Sequence, residues 1–419
     1  MAIIDARTLS SGTKIKADLC IVGAGAAGLV IANKFIGRRE RVVVLESGGE
    51  HLEADTQNLY AGEIAGQIHA PLDQGRLRYY GGTTNHWTAH VRPLDPIDLE
   101  ARTWVPHSGW PFGREVLDPY YERARVLLGL PERPFDVDTW KSEEHPPFSF
   151  ASDRLLTTVR QEVLEEHRRF GPRMRQEITQ SENVVLQLYS NVLRIELGEL
   201  RNHVARLEVG TLSGVRFDVE AGHFVLATGG IENARILLLS SIAGETGSRP
   251  GVVGAFFANH PAGWAGYIQP SDPNATASFY RPQPHAAGTT RASVALHPET
   301  QRKEELLNCW LQLLPQVNRR FVRDRVKSES TLANPPNVKF LLRDVDVGRL
   351  AADLDHDQAL PRERKPTPIG IGVKAFAEPS TNPESRVRLS DERDALGQRR
   401  VILDWRLAEF RPTPRRRAG

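Results

Sequence analysis

The sequence predicts an α/β fold, α+β overall, in which a Rossmann-type parallel sheet is joined to a second domain built on an antiparallel sheet. Three observations predict it. Residues 17–49 read as strand, glycine turn, helix and strand; a strand at residues 223–228 again ends in glycines before a helix; and residues 251–407 hold short strand candidates separated by polar turns. Strands that alternate with helices are typical of a parallel sheet, whereas successive strands are typical of an antiparallel one.

The first of these patterns carries a glycine fingerprint. An apolar strand candidate runs directly into Gly23-x-Gly25-x-x-Gly28, and the next strand candidate ends on Glu46, 18 residues after Gly28. Gly23 permits a tight turn, Gly25 lets a pyrophosphate approach the backbone, and Gly28 lets helix and sheet pack closely. A carboxylate at the spacing of Glu46 accepts hydrogen bonds from ribose hydroxyls. We therefore expect a bound dinucleotide, and the fingerprint leaves both NAD and FAD open.

Composition limits the class of protein. The 419 residues suffice for two domains, and 54 basic against 52 acidic residues leave a formal net charge of +2, which argues against a general nucleic-acid-binding face. Cys20 and Cys309 are the only cysteines, so neither a metal cluster nor a disulfide framework is expected. The N-terminal residues hold no apolar signal segment, and glycines interrupt the apolar run from Leu19. The sequence thus predicts a cytoplasmic protein without a membrane span.

A second glycine-rich stretch, residues 78–87, reads RYYGGTTNHW. Gly81 and Gly82 would bring backbone N–H groups up to a phosphate, and Thr83 and Thr84 would add hydroxyl donors. The histidine and the tryptophan would lie against a planar ring. A surface loop with a buried tryptophan accounts for the same composition, so both interpretations are open at this point.

Two helices are predicted before the next group of strands. Residues 115–128 have the amphipathic pattern of a packing element, and the proline-containing residues 131–150 read as a connection. Residues 153–170 carry apolar side chains at helical spacing with charge on the other face, which predicts a solvated surface helix.

From residue 184 the period changes to that of strands. Four runs separated by turn residues, VVLQLYS, VLRIEL, VARLEVG and VRFDVE, predict an antiparallel meander. The meander leads to the strand that ends in Gly229 and Gly230 and to a helix at residues 232–239. This junction suggests a second approach of the backbone to the same ligand, although an ordinary βα turn gives the same pattern.

The patterns divide the chain into two discontinuous domains. Residues 15–90 and 180–250 are predicted to bind the dinucleotide, and residues 91–179 and 251–407 to form a substrate-binding or cap domain. The arginine- and proline-rich residues 408–419 predict a disordered basic tail. The strand candidates of the second domain lie at residues 263–269, 292–296, 308–314, 369–377 and 386–389.

Taken together, the motifs resemble those of the glucose-methanol-choline (GMC) family of flavin oxidoreductases, in particular its bacterial choline-dehydrogenase-like members. Features are also shared with pyranose and fructose oxidoreductases. The matching stretches are IVGAGAAG with ESGG, YYGGTTNHW with RPLDPIDLE, SGWPFGRE with PYYERA, ATGGIENARILLLS, and NPESRVRLSDERDALG with LDWRL. The resemblance covers almost the whole chain and implies FAD rather than NAD.

The resemblance also implies where FAD would bind. The pyrophosphate would lie on Gly23, Gly25 and Gly28, the adenosine ribose on Glu46, and the adenine near the backbone of Val192. The turn made by Gly82, Thr83, Thr84, Asn85 and His86 would lie near flavin and pyrophosphate, with Gly229 and Gly230 at the second junction. In pyranose-oxidase-like members a histidine directly before a tryptophan carries the flavin covalently, and His86 stands at that position. A non-covalent contact of His86 with the isoalloxazine ring is the alternative.

The chemistry implied is oxidation of a CH–OH group of an alcohol, polyol or sugar by hydride transfer to flavin N5, with a histidine as base. The electron acceptor is left open. In the family the catalytic His and its His or Asn neighbour follow the LSDERDALG and LDWRL stretches, whereas this chain ends at Gly419, 12 residues after Leu407. We therefore expect a truncated chain that lacks the usual base, with His86 and His260 as weak catalytic candidates. His285 begins an H-x-x-G-T-T-R stretch that resembles the family's catalytic motif in the wrong order, and we interpret it as a substrate-domain loop.

Two other functions are weighed against this one. A truncated flavin-binding protein or pseudoenzyme without catalytic activity is the alternative that the missing segment favours. An NAD-dependent dehydrogenase would need a nicotinamide site, which the elements at residues 83–87 and 229–230 do not suggest.

Overall fold

The computed structural model describes residues 3–67, 69–240, 251–269, 277–318 and 369–408. The predicted basic tail therefore lies outside the described residues from residue 409 onward. None of the helices in these ranges is long and apolar enough to cross a bilayer.

The strands of the described ranges are β1 (Ile3–Asp5), β2 (Lys14–Val22), β3 (Val42–Leu45), β4 (Gly62–Gly66), β5 (His90–Val91), β6 (Leu155–Val163), β7 (Val184–Leu188), β8 (Asn191–Leu197), β9 (Val204–Gly210), β10 (Arg216–Leu226), β11 (Ala262–Ile268), β12 (Gln283–His285), β13 (Gly288–Leu296), β14 (Cys309–Asn318), β15 (Ile369–Ala377), β16 (Arg386–Arg393) and β17 (Arg399–Trp405). The α-helices are α1 (Ala26–Asn33), α2 (Ala54–Asn58), α3 (Pro96–Leu99), α4 (Arg114–Leu127), α5 (Val137–Trp140), α6 (Glu165–Arg168), α7 (Phe170–Gln180), α8 (Gly230–Leu239) and α9 (Pro298–Glu304). Short 3₁₀ helices lie at Ala6–Thr8, Gly82–Asn85 and Ser278–Tyr280.

The first compact unit comprises Met1–Thr88, Glu165–Phe257 and Asn382–Arg406, insofar as these ranges are described. Its main sheet has the strand order β1-β7-β3-β2-β10-β9-β8. Pairing is parallel from β1 to β10 and antiparallel from β10 to β8. The predicted parallel sheet is therefore confirmed.

One strand of the predicted meander belongs elsewhere. Val184–Leu188, β7, pairs in parallel between β1 and β3 and not with β8. Four of its five residues are buried, as is usual for a strand covered on both faces of a parallel sheet. The sequence VVLQL contains this signal as a nearly continuous apolar run, which a search for alternation does not detect.

A small second sheet in the same unit has the order β16-β17-β4, with β4 parallel to β17. The sequence analysis assigned residues 386–389 to the second domain and predicted no strand at the residues of β4. The assignment of residues 386–389 to the second domain was wrong. Strand β4 pairs with β17, which lies more than 300 positions later in the chain, and local sequence patterns do not encode such a contact. Residues 165–179, which were also assigned to the second domain, belong to this first unit.

The second unit contains Ala89–Leu164 and the described part of Ala258–Thr381. Its sheet has the order β11-β15-β14-β13-β6-β5, with β12 paired to β13, and every pairing is antiparallel. The predicted antiparallel sheet is confirmed. One face of it forms an apolar core that includes Val159, Val294, Leu313 and Val373.

The predicted helix at residues 153–170 was wrong. Leu155–Val163 is strand β6, which pairs with β13 along nine consecutive positions, and helices α6 and α7 begin only after it. The β-branched run Thr157-Thr158-Val159 favours a strand, and the β13 partner decides between the two patterns. By contrast, the helix predicted at residues 115–128 is confirmed as α4, although Val116 and Tyr120 on it are 46% and 60% exposed.

Candidate functional site

A cavity of about 410 Å³ lies in the first unit, at the carboxyl ends of β2, β3 and β10 and at the first residues of α1 and α8. This is the edge of an open α/β sheet at which ligands bind. Eight residues predicted from the sequence line it: Gly23, Gly25, Glu46, Gly82, Thr83, Thr84, Val192 and Gly229.

The turn between β2 and α1 is built from the three glycines of the fingerprint. Gly23 has φ +102°, a left-handed conformation that favours glycine. A Cβ on Gly28 would lie 1.9 Å from the carbonyl oxygen of Gly23, so only a glycine lets the helix approach the turn this closely. Gly25 differs: no described atom lies within 4 Å of a Cβ built there. Gly28 thus serves packing, whereas Gly25 leaves space on the cavity side.

Glu46 lies at the end of β3 with 5% of its surface exposed. One carboxylate oxygen accepts the N–H of Ala24 at 2.8 Å and the other accepts the N–H of Gly48 at 3.0 Å. Burial raises the pKa of Glu46, while these backbone donors and the charge of Arg78 oppose the rise. The carboxylate is therefore held in place at the cavity with acceptor capacity left for a hydroxyl group.

The stretch around Gly81 and Gly82 packs against the fingerprint turn. Both glycines have positive φ, 91° and 55°, and the N–H of Gly81 donates to the carbonyl of Ala24 at 3.0 Å. A Cβ on Gly82 would lie 3.1 Å from the Cα of Gly25. This close approach of two glycine backbones brings the Thr83 and Thr84 residues to the cavity.

The second strand–glycine–helix junction also reaches the cavity. Gly229 precedes α8 with φ +85° and lines the cavity, while Gly230 begins the helix outside the lining set. Asn233 fixes the junction: its side-chain oxygen accepts from the N–H and hydroxyl of Thr228 at 3.0 and 2.6 Å. The sequence analysis missed Asn233, although the Gly-Gly-Ile-Glu-Asn spacing contains it.

A buried group of charged side chains beside the cavity was also missed. One carboxylate oxygen of Glu232 pairs with the guanidinium groups of Arg78, at 3.3 Å, and Arg235, at 3.1 Å. The guanidinium of Arg76 lies 3.8 Å from the other oxygen. Arg235 in turn donates to Asp394 at 2.6 Å. Burial alone would raise the pKa of Glu232, but the three arginines outweigh it and hold the pKa below its usual range. The sequence indicates these cations through the Arg-x-Arg pattern of residues 76–78, just before Gly81 and Gly82, but we did not predict a role for it.

Four predicted residues do not line the cavity. Gly28 and Gly230 are packing and helix-start positions, and the Asn85 side-chain amide donates to the carbonyl of Tyr80 at 2.9 Å. His86 is exposed, and its backbone N–H donates to the carbonyl of Thr83.

His260 and His285 belong to the second unit. The His260 ring lies 5.9 Å from that of Phe376, and burial lowers the pKa of His260. His285 Nδ1 accepts the N–H of Ala287, so its Nε2 donates to Gln161 at 3.0 Å. Both nitrogens of His285 are thus used in hydrogen bonds, one within the turn between β12 and β13 and one to Gln161 on β6.

The cavity fits the adenine-dinucleotide part of FAD. Two helices begin at it, their N-caps are glycines, and helix N-termini bind phosphate through unpaired N–H groups. Among the described residues, buried Arg76 Nη1 and Arg78 Nε find no hydrogen-bond partner, which leaves cationic donors for an anionic ligand. A fixed carboxylate can accept from a ribose hydroxyl, and glycines open toward the cavity let a pyrophosphate approach the backbone. The unused guanidinium donors add positive charge that suits the same anion.

Comparison with protein families decides the cofactor class. The family model described as FAD dependent oxidoreductase (DAO) matches residues 18–337, which is 320 of the 419 residues. The chain belongs to the FAD-dependent oxidoreductase family. The family model begins at Asp18, within β2, so that it includes the whole fingerprint of this oxidoreductase.

Solved structures similar to this oxidoreductase include two kinds of oxidase. Pyridoxine 4-oxidase from Mesorbium loti is 16% identical with a TM-score of 0.46, over 92% of this chain and 75% of the other. A formate oxidase is 14% identical with a TM-score of 0.46, over 94% and 78%, and a variant of the Aspergillus oryzae formate oxidase made to study FAD modification gives the same figures. A search of curated proteins gave no match. At 14–16% identity, these two oxidases give no information about the substrate of this chain.

Proposed function

We propose that this protein is a GMC-type oxidoreductase that binds FAD in the cavity of the first unit and oxidises a CH–OH group of an alcohol, polyol or sugar. The family assignment and the glycine-lined cavity at the strand ends support FAD as the cofactor. The GMC type rests on the sequence motifs, above all YYGGTTNHW and ATGGIENARILLLS, both of which contribute cavity residues. The cavity with its fixed carboxylate, Glu46, is the single observation that carries the proposal.

The roles of the residues follow from their chemistry. The N–H groups at the start of α1 and the buried donors of Arg76 and Arg78 would hold the pyrophosphate, and Glu46 would accept from the ribose. Bound FAD supplies the acceptor for a hydride from the substrate carbon. We propose a substrate-binding role for the second unit.

A base must take the hydroxyl proton, and His86 and His260 are the candidates. His86 follows the threonines that line the cavity. Burial lowers the pKa of His260, which keeps its imidazole neutral near neutral pH, the form in which a base accepts a proton. For His86, a covalent bond to the flavin is the other proposed role.

Anaerobic reduction of the bound flavin tests the proposal. Alcohols, polyols and sugars are added singly, and loss of flavin absorbance is followed with time, with dithionite as the control for a reducible flavin. The proposal expects at least one class to bleach the flavin. Bleaching by dithionite alone would reject it and support a flavin-binding protein without activity. Replacing the base by alanine is expected to slow substrate-dependent bleaching about 100-fold or more and to leave the dithionite reaction unchanged.

A further inference from the structure

The antiparallel sheet of the second unit has two chemically different faces. One face is the apolar core described above. The ladder register puts charged and aromatic side chains on the opposite face: Arg160 lies opposite Arg291 on β13, and Trp310 on β14 lies opposite Phe376 on β15. The indole of Trp310 stacks on Phe376 with ring centroids 4.0 Å apart, and the Arg160 guanidinium lies 4.2 Å from the centroid of Trp310.

Arg160 is buried, with 7% of its surface exposed. Among the described residues only Ser293 accepts a hydrogen bond from it, at 3.2 Å from Nη1, and its buried Nε is without a partner. A buried cation normally pairs with an anion, since an unpaired charge away from water is costly. The Ser293 hydroxyl and the indole face compensate this charge only in part.

The nearby carboxylate is already in use. Glu162 lies two residues further along β6, and one of its oxygens accepts both Nε and Nη2 of Arg291 at 2.9 and 2.8 Å. The same oxygen lies 3.3 Å from His90 Nε2. Lys374, opposite Gln312, lies on the same face of the sheet. The described strand residues on this face therefore carry three cations, Arg160, Arg291 and Lys374, and the single carboxylate of Glu162. The face therefore has an excess of positive charge, and the pair Arg160 and Arg291 puts two like charges directly opposite each other, which is destabilising.

We propose that this face of the sheet binds a small organic carboxylate, whose oxygens accept from the guanidinium of Arg160. A planar guanidinium presents donors in the geometry that a carboxylate accepts, and the Trp310 ring, whose centroid lies 4.2 Å from the guanidinium carbon, restricts its movement. Burial, with the repulsion of Arg291, lowers the pKa of Arg160 to about 10, so the group is still a cation at neutral pH. The proposal concerns the second unit alone and does not rest on the proposed function.

The test measures whether acetate stabilises the full-length protein through Arg160. Urea midpoints are measured by circular dichroism in sodium acetate, in sodium chloride of equal ionic strength, and in acetamide as the neutral analogue. The proposal expects acetate to raise the midpoint above that in chloride, because a ligand that binds only the folded state stabilises it. Acetamide is expected to have no such effect. Equal midpoints in acetate and chloride would overturn the proposal.

Variants separate binding from folding. Arg160→Met keeps a long side chain without charge; it is expected to lose the acetate effect and, without acetate, to be at least as stable as the wild type. Arg160→Lys keeps the positive charge but lacks the planar set of guanidinium donors, and it is expected to bind acetate at least about 10-fold more weakly. Lys303→Gln, an exposed residue on α9, is the control for the change in net charge and should keep the acetate effect. If either Arg160 variant binds acetate as tightly as the wild type, the proposed site is rejected. If Arg160→Met does not fold, the acetate affinity of Arg160→Lys alone provides the test.

Discussion

Adding one methyl group at Gly28 or at Gly25 should have different consequences, although the two glycines belong to one fingerprint. In Gly28→Ala the new Cβ would lie 1.9 Å from the carbonyl oxygen and 3.1 Å from the carbonyl carbon of Gly23. Alanine gains about 1 kcal/mol over glycine in a helix, whereas overpacking against a backbone costs about 1–3 kcal/mol or more. Because both obstructing atoms are backbone, we expect the clash to prevail, with a net loss of about 2 kcal/mol.

Gly25→Ala is the matched control. No described atom lies within 4 Å of its Cβ, so the expected cost is at most about 1 kcal/mol for a poorer N-cap. The methyl group would instead occupy the space of the pyrophosphate. Loss of one or two hydrogen bonds to a charged group should weaken FAD binding about 10- to 100-fold.

The assay uses flavin-free protein, since bound FAD would add its own stabilisation. Urea unfolding followed by circular dichroism gives the free energy of unfolding, and titration with FAD followed by flavin fluorescence gives the affinity. A Gly28→Ala variant as stable as the wild type, or more so, would show that the Gly23 backbone does not exclude a side chain at this position. A Gly25→Ala variant that binds FAD as tightly as the wild type would show that the pyrophosphate does not lie against Gly25.

Three further predictions concern buried ionisable groups. Glu232→Gln leaves its arginine partners without their carboxylate and should lower the free energy of unfolding by about 3–5 kcal/mol at neutral pH. Because the folded-state pKa of Glu232 is lowered, the difference in unfolding free energy from the wild type, measured in urea, should shrink as the pH falls below 4.5. Glu46→Gln removes a carboxyl whose pKa is raised by burial, so the wild type should lose stability relative to this variant as the pH rises above 4.5, and a parallel pH dependence of the two proteins would contradict this. Burial raises the pKa of both Cys20 and Cys309 to about 12, and a thiol reagent should modify neither in the native flavin-free protein and both in urea; rapid native labelling would disprove it.

The sequence predicted those parts of the fold that depend on local signals. The turn at Gly23, the carboxylate at Glu46 and the second junction at Gly229 each follow from a residue type at a fixed position after a strand, and all three line one cavity. The antiparallel sheet followed from short strand candidates separated by polar turns.

The errors arose where a distant partner determines the structure. Leu155–Val163 fits a helical period as well as a strand, and its pairing with β13, more than 100 residues away, makes it a strand. The parallel pairing of β7 and the joining of β4 to β17 have the same cause. Arg78 and Glu232 were missed because their relation is spatial: 154 positions of the chain separate them.

The visible absorption spectrum of the purified chain, recorded before and after acid precipitation, shows whether the protein binds a flavin and whether the bond is covalent. We predict flavin absorption bands in the native protein, because the chain belongs to an FAD-dependent family and Gly25, Glu46 and Gly229 line a cavity at the strand ends. Flavin that stays with the precipitate would indicate a covalent bond, and the His86→Ala variant would then release it. A folded, colourless protein that takes up no FAD when the cofactor is added would contradict the assignment of the cavity to FAD.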